Sequence, residues 1–184
     1  MEWYLSNPWL QKTEIEAMNK LYPDAKRGYL PDGRMYWTII LRPIIFGEEK
    51  EWTLLAVYDS DHPQKKWGGS VKIYPVRPNY NEMQEMVNNS SVTPKCVPFL
   101  FDDNDFQIYL ASCVFCNREE YKSEDELATL AVTQIRYALR WITIFEVGLV
   151  EQKVWSVFSG SGYGNTYEYI CNHFNYIPDI NHLS

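Results

Sequence analysis

A stripe of apolar residues at helical spacing in the second half of the chain constrains the fold most. It follows Ser123-x-x-Glu126, a capping-box pattern typical of a helix start. It stops at Gly148, a residue type that often ends helices. The apolar positions recur at steps of three and four residues: Leu127, Ala131, Ile135, Ala138, Ile142 and Phe145. This spacing places them on one face of a helix, and we expect that face to pack in the core.

Three segments before this helix are typical of β-strands. They cover residues 35–41 (MYWTIIL), 51–58 (EWTLLAVY) and 70–76 (SVKIYPV). They are rich in β-branched and aromatic residues, and polar or turn-rich pieces separate them. A short loop between the first two predicts a hairpin, and the set predicts an antiparallel meander.

Helices are predicted on both sides of the meander. A first helix begins at the capping box Thr13–Glu16 and ends before Pro23, and a turn-rich piece follows it. Beyond the meander, residues 81–87 predict a short helix, and 99–101 and 108–110 predict short extended pieces. The order of N-terminal helix, meander sheet and C-terminal helices predicts an α+β fold. We expect a single domain over residues 1–184.

The composition favours a folded, acidic protein. Aromatic residues make up 16% of the chain, whereas disordered segments are poor in them. The formal net charge is −7 and the chain contains no basic run, so direct binding to nucleic acid is disfavoured. No apolar run is long enough to span a bilayer, and the N-terminus lacks the pattern of a signal peptide. We therefore expect a cytoplasmic protein with reduced thiols and no membrane contact.

Cys113 and Cys116 are the strongest candidates for covalent chemistry, because they lie where an extended segment gives way to polar residues. A thiolate at Cys113, or alternatively at Cys116, can carry an acyl group as a thioester. A nearby amide would stabilise the oxyanion of the tetrahedral intermediate. Asn104 and Asn117 are the candidates for that amide, and Ser112 is a lesser one. The pattern thus suggests acyl transfer.

The same cysteine pair is compatible with three other roles. It resembles a redox dithiol, but it does not open a helix after a central strand, as that chemistry prefers. Together with Cys171 and His173 it supplies ligand types that suit zinc, although Cys-x-His departs from the usual spacing of a zinc half-site. In the third role the cysteines are simply small apolar residues at the end of a strand.

The remaining titratable residues predict no catalytic site. The histidines have no matching serine and aspartate motif, so we do not expect a triad hydrolase. His62 is expected to be a solvated loop residue. The carboxylates of Asp102, Asp103 and Asp105 lack the rest of a cation-binding loop, and we expect them to form a solvated turn.

Several short motifs, taken in order, resemble the ubiquitin-conjugating enzyme (UBC) family, especially its bacterial members from antiphage defence operons. That family has a helix, a meander, a proline-rich segment, a catalytic-cysteine motif of the form PH.Y..dG.LCL, and a helical region with WL..yE.W and a closing Trp. The matching pieces are Tyr58–Pro63, Val71–Pro75, Pro98–Phe101, Ile108–Leu110, Leu127–Ala128, Trp141–Glu146 and Trp155. The likeness covers about residues 13–155 and implies a UBC-like fold.

The chain departs from the family at the cysteine motif. Phe99 stands where the family has histidine. In the strict register of LCL, Tyr109 takes the position of the catalytic cysteine, which resembles the inactive variant members. A register set by Tyr121, taken for the family's tryptophan, places Cys113 there instead, and an intermediate register places Ala111 there. We take Cys113 as the expected nucleophile.

The resemblance implies a mechanism and a set of partners. Cys113 would accept the C-terminal glycine of a ubiquitin-like protein, or of a cGAS-like nucleotidyltransferase, as a thioester. It would pass that acyl group to a target amine in cyclic-oligonucleotide antiphage defence, with Asn104 or Asn117 at the oxyanion. No metal or organic cofactor is implied. The alternative is a catalytically inactive UBC-like variant that acts as a protein-binding module, and a zinc-stabilised interaction domain is a third hypothesis.

Overall fold

The computed structural model describes residues 1–63, 69–105, 107–112, 130–160 and 172. These residues form an α+β fold in which an antiparallel sheet packs against helices. The helices are α1 (Trp3–Ser6), α2 (Pro8–Leu21), α3 (Tyr80–Asn89), α4 (Ala131–Val150) and α5 (Gln152–Gly160). The strands are β1 (Lys26–Tyr29), β2 (Met35–Leu41), β3 (Ile44–Ile45), β4 (Glu48–Glu49), β5 (Trp52–Tyr58), β6 (Val71–Arg77), β7 (Leu100–Asp102) and β8 (Ile108–Leu110). None of the described helices is long and apolar enough to cross a membrane.

The main sheet is a four-stranded antiparallel meander in the order β1-β2-β5-β6. Three of its strands confirm the predictions at 35–41, 51–58 and 70–76 to within one residue at each end. Successive side chains of a strand point to opposite faces, and one face of this sheet lies on the core. On β2 the buried positions are therefore every second residue: Met35, Trp37, Ile39 and Leu41.

The edge strand β1 lies where the sequence predicts only turns. Lys26 and Gly28 of β1 pair with Thr38 and Tyr36 of β2. A Cβ atom on Gly28 would lie 2.5 Å from the Tyr36 side chain. The absence of a side chain at Gly28 therefore leaves room for the Tyr36 ring against β1. β1 has no alternation of apolar and polar residues, which is why the sequence gives no strand signal there.

A small two-stranded ladder lengthens the predicted hairpin between β2 and β5. In it Ile44 pairs with Glu49 and Ile45 pairs with Glu48. The two residues of the turn, Phe46 and Gly47, have φ angles of 50° and 79°. Positive φ at both central positions is the geometry of a type I′ turn, whose twist suits a tight hairpin.

The first long helix starts earlier than predicted. The Oδ1 atom of Asn7 accepts a hydrogen bond from the Leu10 N–H at 3.1 Å, and Pro8 occupies the first turn, so Asn7 is the cap. Thr13 lies inside α2, where its hydroxyl donates to the Trp9 carbonyl at 3.1 Å. The predicted start at the Thr13–Glu16 capping box is therefore wrong, whereas the predicted end before Pro23 is confirmed.

The apolar stripe does lie in the core. Ala131, Ile135, Ala138, Ile142 and Phe145 are all fully buried on α4, while Leu127 and the capping box before it lie outside the described residues. The burial is wider than one face, because residues 133–135 and 137–148 are buried without interruption. A helix buried on all sides occupies the centre of the molecule, between the sheet and α5.

Gly148 does not end α4, contrary to the prediction. The helix continues to Val150, and Gly148 is buried within it. A Cβ atom on Gly148 would lie 3.0 Å from Cε3 of Trp155, which is fully buried on α5. The glycine therefore allows α4 and α5 to approach closely at this point.

We expect Gly148→Ala to lower the free energy of unfolding by about 1–3 kcal/mol, because the added methyl group overpacks the Trp155 ring. Gly160→Ala is the matched control. Within the described part of the chain a Cβ there meets nothing within 4 Å, so the higher helix propensity of alanine should leave stability unchanged or raise it by up to about 1 kcal/mol. Urea unfolding of both variants tests this, and equal effects would contradict the close approach.

Candidate functional site

The predicted site region contains a short antiparallel hairpin. In it Leu100, Phe101 and Asp102 of β7 pair with Leu110, Tyr109 and Ile108 of β8. The hairpin confirms the two extended pieces predicted at 99–101 and 108–110. It packs against β6 of the main sheet, so the sheet positions the segment that leads to Cys113.

Asp103 organises the turn of this hairpin. Its Oδ1 atom accepts hydrogen bonds from the N–H groups of Asp105 and Gln107, both at 2.8 Å. Its Oδ2 atom accepts one from the Tyr74 hydroxyl at 2.8 Å. Burial raises the pKa of Asp103, but these hydrogen bonds and the nearby Lys72 charge outweigh burial and lower it overall. The carboxylate therefore stabilises the turn. Among the described residues, no group of three His, Cys, Asp or Glu side chains could hold a metal ion.

Tyr109 lies in the middle of β8 within a cluster of aromatic rings. The ring centroids of Tyr74 and Phe101 lie 5.7 Å and 5.6 Å from its own. The Nζ atom of Lys72 lies 5.6 Å from the centre of the Tyr109 ring. The half-buried side chain thus fills the position that the strict LCL register assigns to the family's cysteine.

Two of the predicted site residues can be located. Asn104 is exposed on the hairpin turn, and Ser112 is buried, with 3% of its surface exposed. Ser112 follows Ala111, which is also buried. The other predicted site residues lie outside the described residues: Cys113, Cys116, Asn117, Cys171 and His173.

His62 belongs to a buried polar network and is not the solvated loop residue that the sequence predicts. Only 3% of its surface is exposed. Its Nδ1 atom lies 2.8 Å from the Ser70 Oγ atom, and its Nε2 atom lies 2.9 Å from the Glu14 Oε1 atom. The Glu14 Oε2 atom accepts hydrogen bonds from the Tyr58 hydroxyl at 2.9 Å and the Ala131 N–H at 3.1 Å. Burial and the Glu14 charge raise the pKa of Tyr58 well above its usual value, so the hydroxyl remains a donor.

The order carboxylate, imidazole and hydroxyl is also that of a hydrolase triad, but the burial of the network argues against catalysis. A nucleophilic hydroxyl must reach a substrate, and only 1% of the Ser70 surface is exposed. The Trp3 ring covers the imidazole, with centroids 4.6 Å apart. The network therefore joins α2, β5 and the start of α4, and its role is structural.

The sequence contains one signal of this network that the sequence analysis missed. Leu10, Glu14 and Met18 recur at steps of four residues on α2, and all three are buried. A carboxylate on the apolar face of a helix requires buried donors, because an unpaired buried charge is costly. Glu14 at this spacing therefore predicts a polar partner in the core, although not which one.

Comparison with known proteins adds no relative. No protein family, no curated protein and no solved structure matches this chain.

We expect Glu14→Leu to cost about 3 kcal/mol or more of unfolding free energy, because it leaves three buried groups unpaired at about 1–3 kcal/mol each. Glu14→Gln should cost less than half as much. Its amide oxygen accepts from Tyr58 and Ala131, and its amide nitrogen donates to His62 Nε2 once the imidazole proton moves to Nδ1. Urea unfolding measures both variants, and similar costs would show that the hydrogen bonds are unimportant.

A pH dependence follows from Asp103. A lowered pKa contributes stability that is present above the usual aspartate pKa of about 3.9 and is lost as pH falls through the folded-state value. Asp103→Asn keeps an acceptor for the turn but removes the charge, so we expect it to destabilise the protein at neutral pH and to match the native chain in strong acid. Urea unfolding across pH measures both, and Asp105→Asn, which removes an exposed charge from the same turn, is the control for the change in net charge.

Proposed function

We propose that this chain is a UBC-like protein that binds a protein partner without covalent transfer. The observation that supports this is the position of Tyr109. In the strict LCL register Tyr109 takes the position of the family's cysteine, and in β8 its ring packs against Tyr74 and Phe101. A tyrosine there cannot form a thioester.

The order of elements is compatible with the UBC-like interpretation. α2 precedes an antiparallel meander, α3 and then a hairpin follow it, and α4 and α5 come after the hairpin. This order agrees with the motifs that resemble the family, from Tyr58 to Trp155. The partner we propose is a ubiquitin-like protein or a cGAS-like nucleotidyltransferase, as the resemblance implies.

Thioester transfer by Cys113 is the second candidate function. In its favour, β8 leads through the buried residues Ala111 and Ser112 directly to Cys113. In that reaction the Cys113 thiolate attacks the carbonyl carbon of a partner's activated C-terminal thioester, and the activating thiolate leaves. An amine then attacks the new thioester, loses a proton and releases Cys113, with Asn104 or Asn117 donating to the oxyanion.

Intact mass after mixing with the partner separates the two functions. We would incubate the native chain, Cys113→Ala and Cys116→Ala with a ubiquitin-like protein activated as its C-terminal thioester and, separately, with a cGAS-like nucleotidyltransferase. Size-exclusion chromatography of the same mixtures measures binding. For a binding module we expect co-elution in all three chains and no adduct.

The other outcomes assign the function differently. An adduct that thiol treatment removes, and that Cys113→Ala abolishes, establishes the transferase with Cys113 as its nucleophile. If only Cys116→Ala loses the adduct, the protein is still a transferase, and its nucleophile is Cys116. Neither adduct nor co-elution with either partner would count against both functions.

A further inference from the structure

A cavity of about 470 Å³, wide open to solvent, lies between the start of β5, the end of β6 and α3. Its volume lies within the range of about 300–1,000 Å³ that is usual for ligand sites. Five glutamates line it against two basic residues, Lys50 and Arg77. The lining therefore favours a positively charged occupant.

Glu146 of α4 is the buried carboxylate of this lining, with 7% of its surface exposed. The Trp52 indole Nε1–H donates a hydrogen bond to its Oε1 atom at 2.8 Å. Its Oε2 atom has no hydrogen-bond partner in the described part of the chain, and it is not among the side-chain atoms sealed from solvent. An occupant of the cavity can therefore donate a hydrogen bond to Oε2 in place of solvent.

The electrostatic surroundings of Glu146 are those of an incomplete ion pair. Burial raises its pKa, and the Trp52 hydrogen bond and the Lys50 charge only partly oppose this. The Nζ atom of Lys50 lies 2.8 Å from a carboxylate oxygen of Glu48, so Lys50 is engaged elsewhere. A cation in the cavity would compensate the buried charge directly.

Two observations restrict the identity of that cation. No three metal-ligating side chains among the described residues lie close enough to hold a metal ion. Trp52 occupies one oxygen of Glu146, so a guanidinium group cannot form its preferred two-point contact, whereas an ammonium group needs only one acceptor.

We propose that this cavity binds the ammonium group of a lysine side chain on a partner protein, with Glu146 Oε2 as its acceptor. This proposal does not rest on the proposed function, because the two sites are at different places along β6. Arg77, which lines the cavity, is the last residue of the strand, whereas Lys72 and Tyr74, which contact Tyr109, come earlier in it. The lysine-binding cavity thus adds a second recognition element to the surface.

The Trp52 indole N–H is a local reporter of this site. We would titrate the protein at physiological ionic strength with a lysine residue capped by acetyl and methylamide groups, and follow the Trp52 indole signal by ¹H–¹⁵N NMR, assigned with Trp52→Phe. The same compound with its ε-amine acetylated is the uncharged control. Glu146→Gln retains an acceptor for Trp52 and removes the charge. Glu16→Gln, on an exposed side chain of α2, is the matched charge control.

We expect a saturable shift of the Trp52 signal with the lysine compound, little shift with its acetylated form, and a dissociation constant at least about tenfold higher for Glu146→Gln. Glu16→Gln should behave as the native chain. An equal response to the acetylated compound, or an unchanged response in Glu146→Gln, overturns the proposal. Tighter binding of the corresponding arginine compound or of spermidine overturns the assignment to a lysine side chain.

Discussion

The burial of the Glu14 carboxylate is the constraint on which the rest of the structure depends. A charge taken out of water must be matched by hydrogen bonds, and the donors come from distant parts of the chain. One donor is the N–H of Ala131, an otherwise unpaired group at the start of α4, where Leu130 offers no polar side chain. The positive N-terminal end of the helix dipole also stabilises a carboxylate at this position. Glu14 of α2 therefore caps the central helix across the core.

Tryptophan side chains extend the same principle to irregular segments. Each indole is a large apolar ring with a single donor, and a buried donor usually has a partner. Among the described residues this holds for four buried tryptophans but not for Trp3. The observed acceptors are the Tyr58 hydroxyl for Trp37, the Glu146 carboxylate for Trp52, the Phe99 carbonyl for Trp141 and the Pro94 carbonyl for Trp155. The last two hold the stretch between α3 and β7 against α4 and α5. The high aromatic content thus fixes backbone that has no regular hydrogen bonds of its own.

Local sequence patterns predict the regular elements well, because strands and helices follow periodicity. They fail where a contact joins residues far apart in sequence. His62 is polar and follows a strand, which predicts a loop, yet its partner Glu14 lies 48 residues away. The Thr13 pattern occurs by chance inside a helix that Asn7 begins. At the site, the sequence predicts the two extended pieces on either side of Asn104 but not their pairing into a hairpin. The roles proposed for Cys113 follow from the resemblance and not from geometry.

Both edges of the main sheet are unsuited to pairing with a strand from another molecule. β1 is four residues long and starts with Lys26 and Arg27, and charge on a short edge disfavours strand addition. At the other edge, Pro75 of β6 has no N–H to donate to an added strand. A binding partner would therefore recognise side chains and surface shape and would not add a strand to the sheet. The same features protect this sheet against edge-to-edge aggregation.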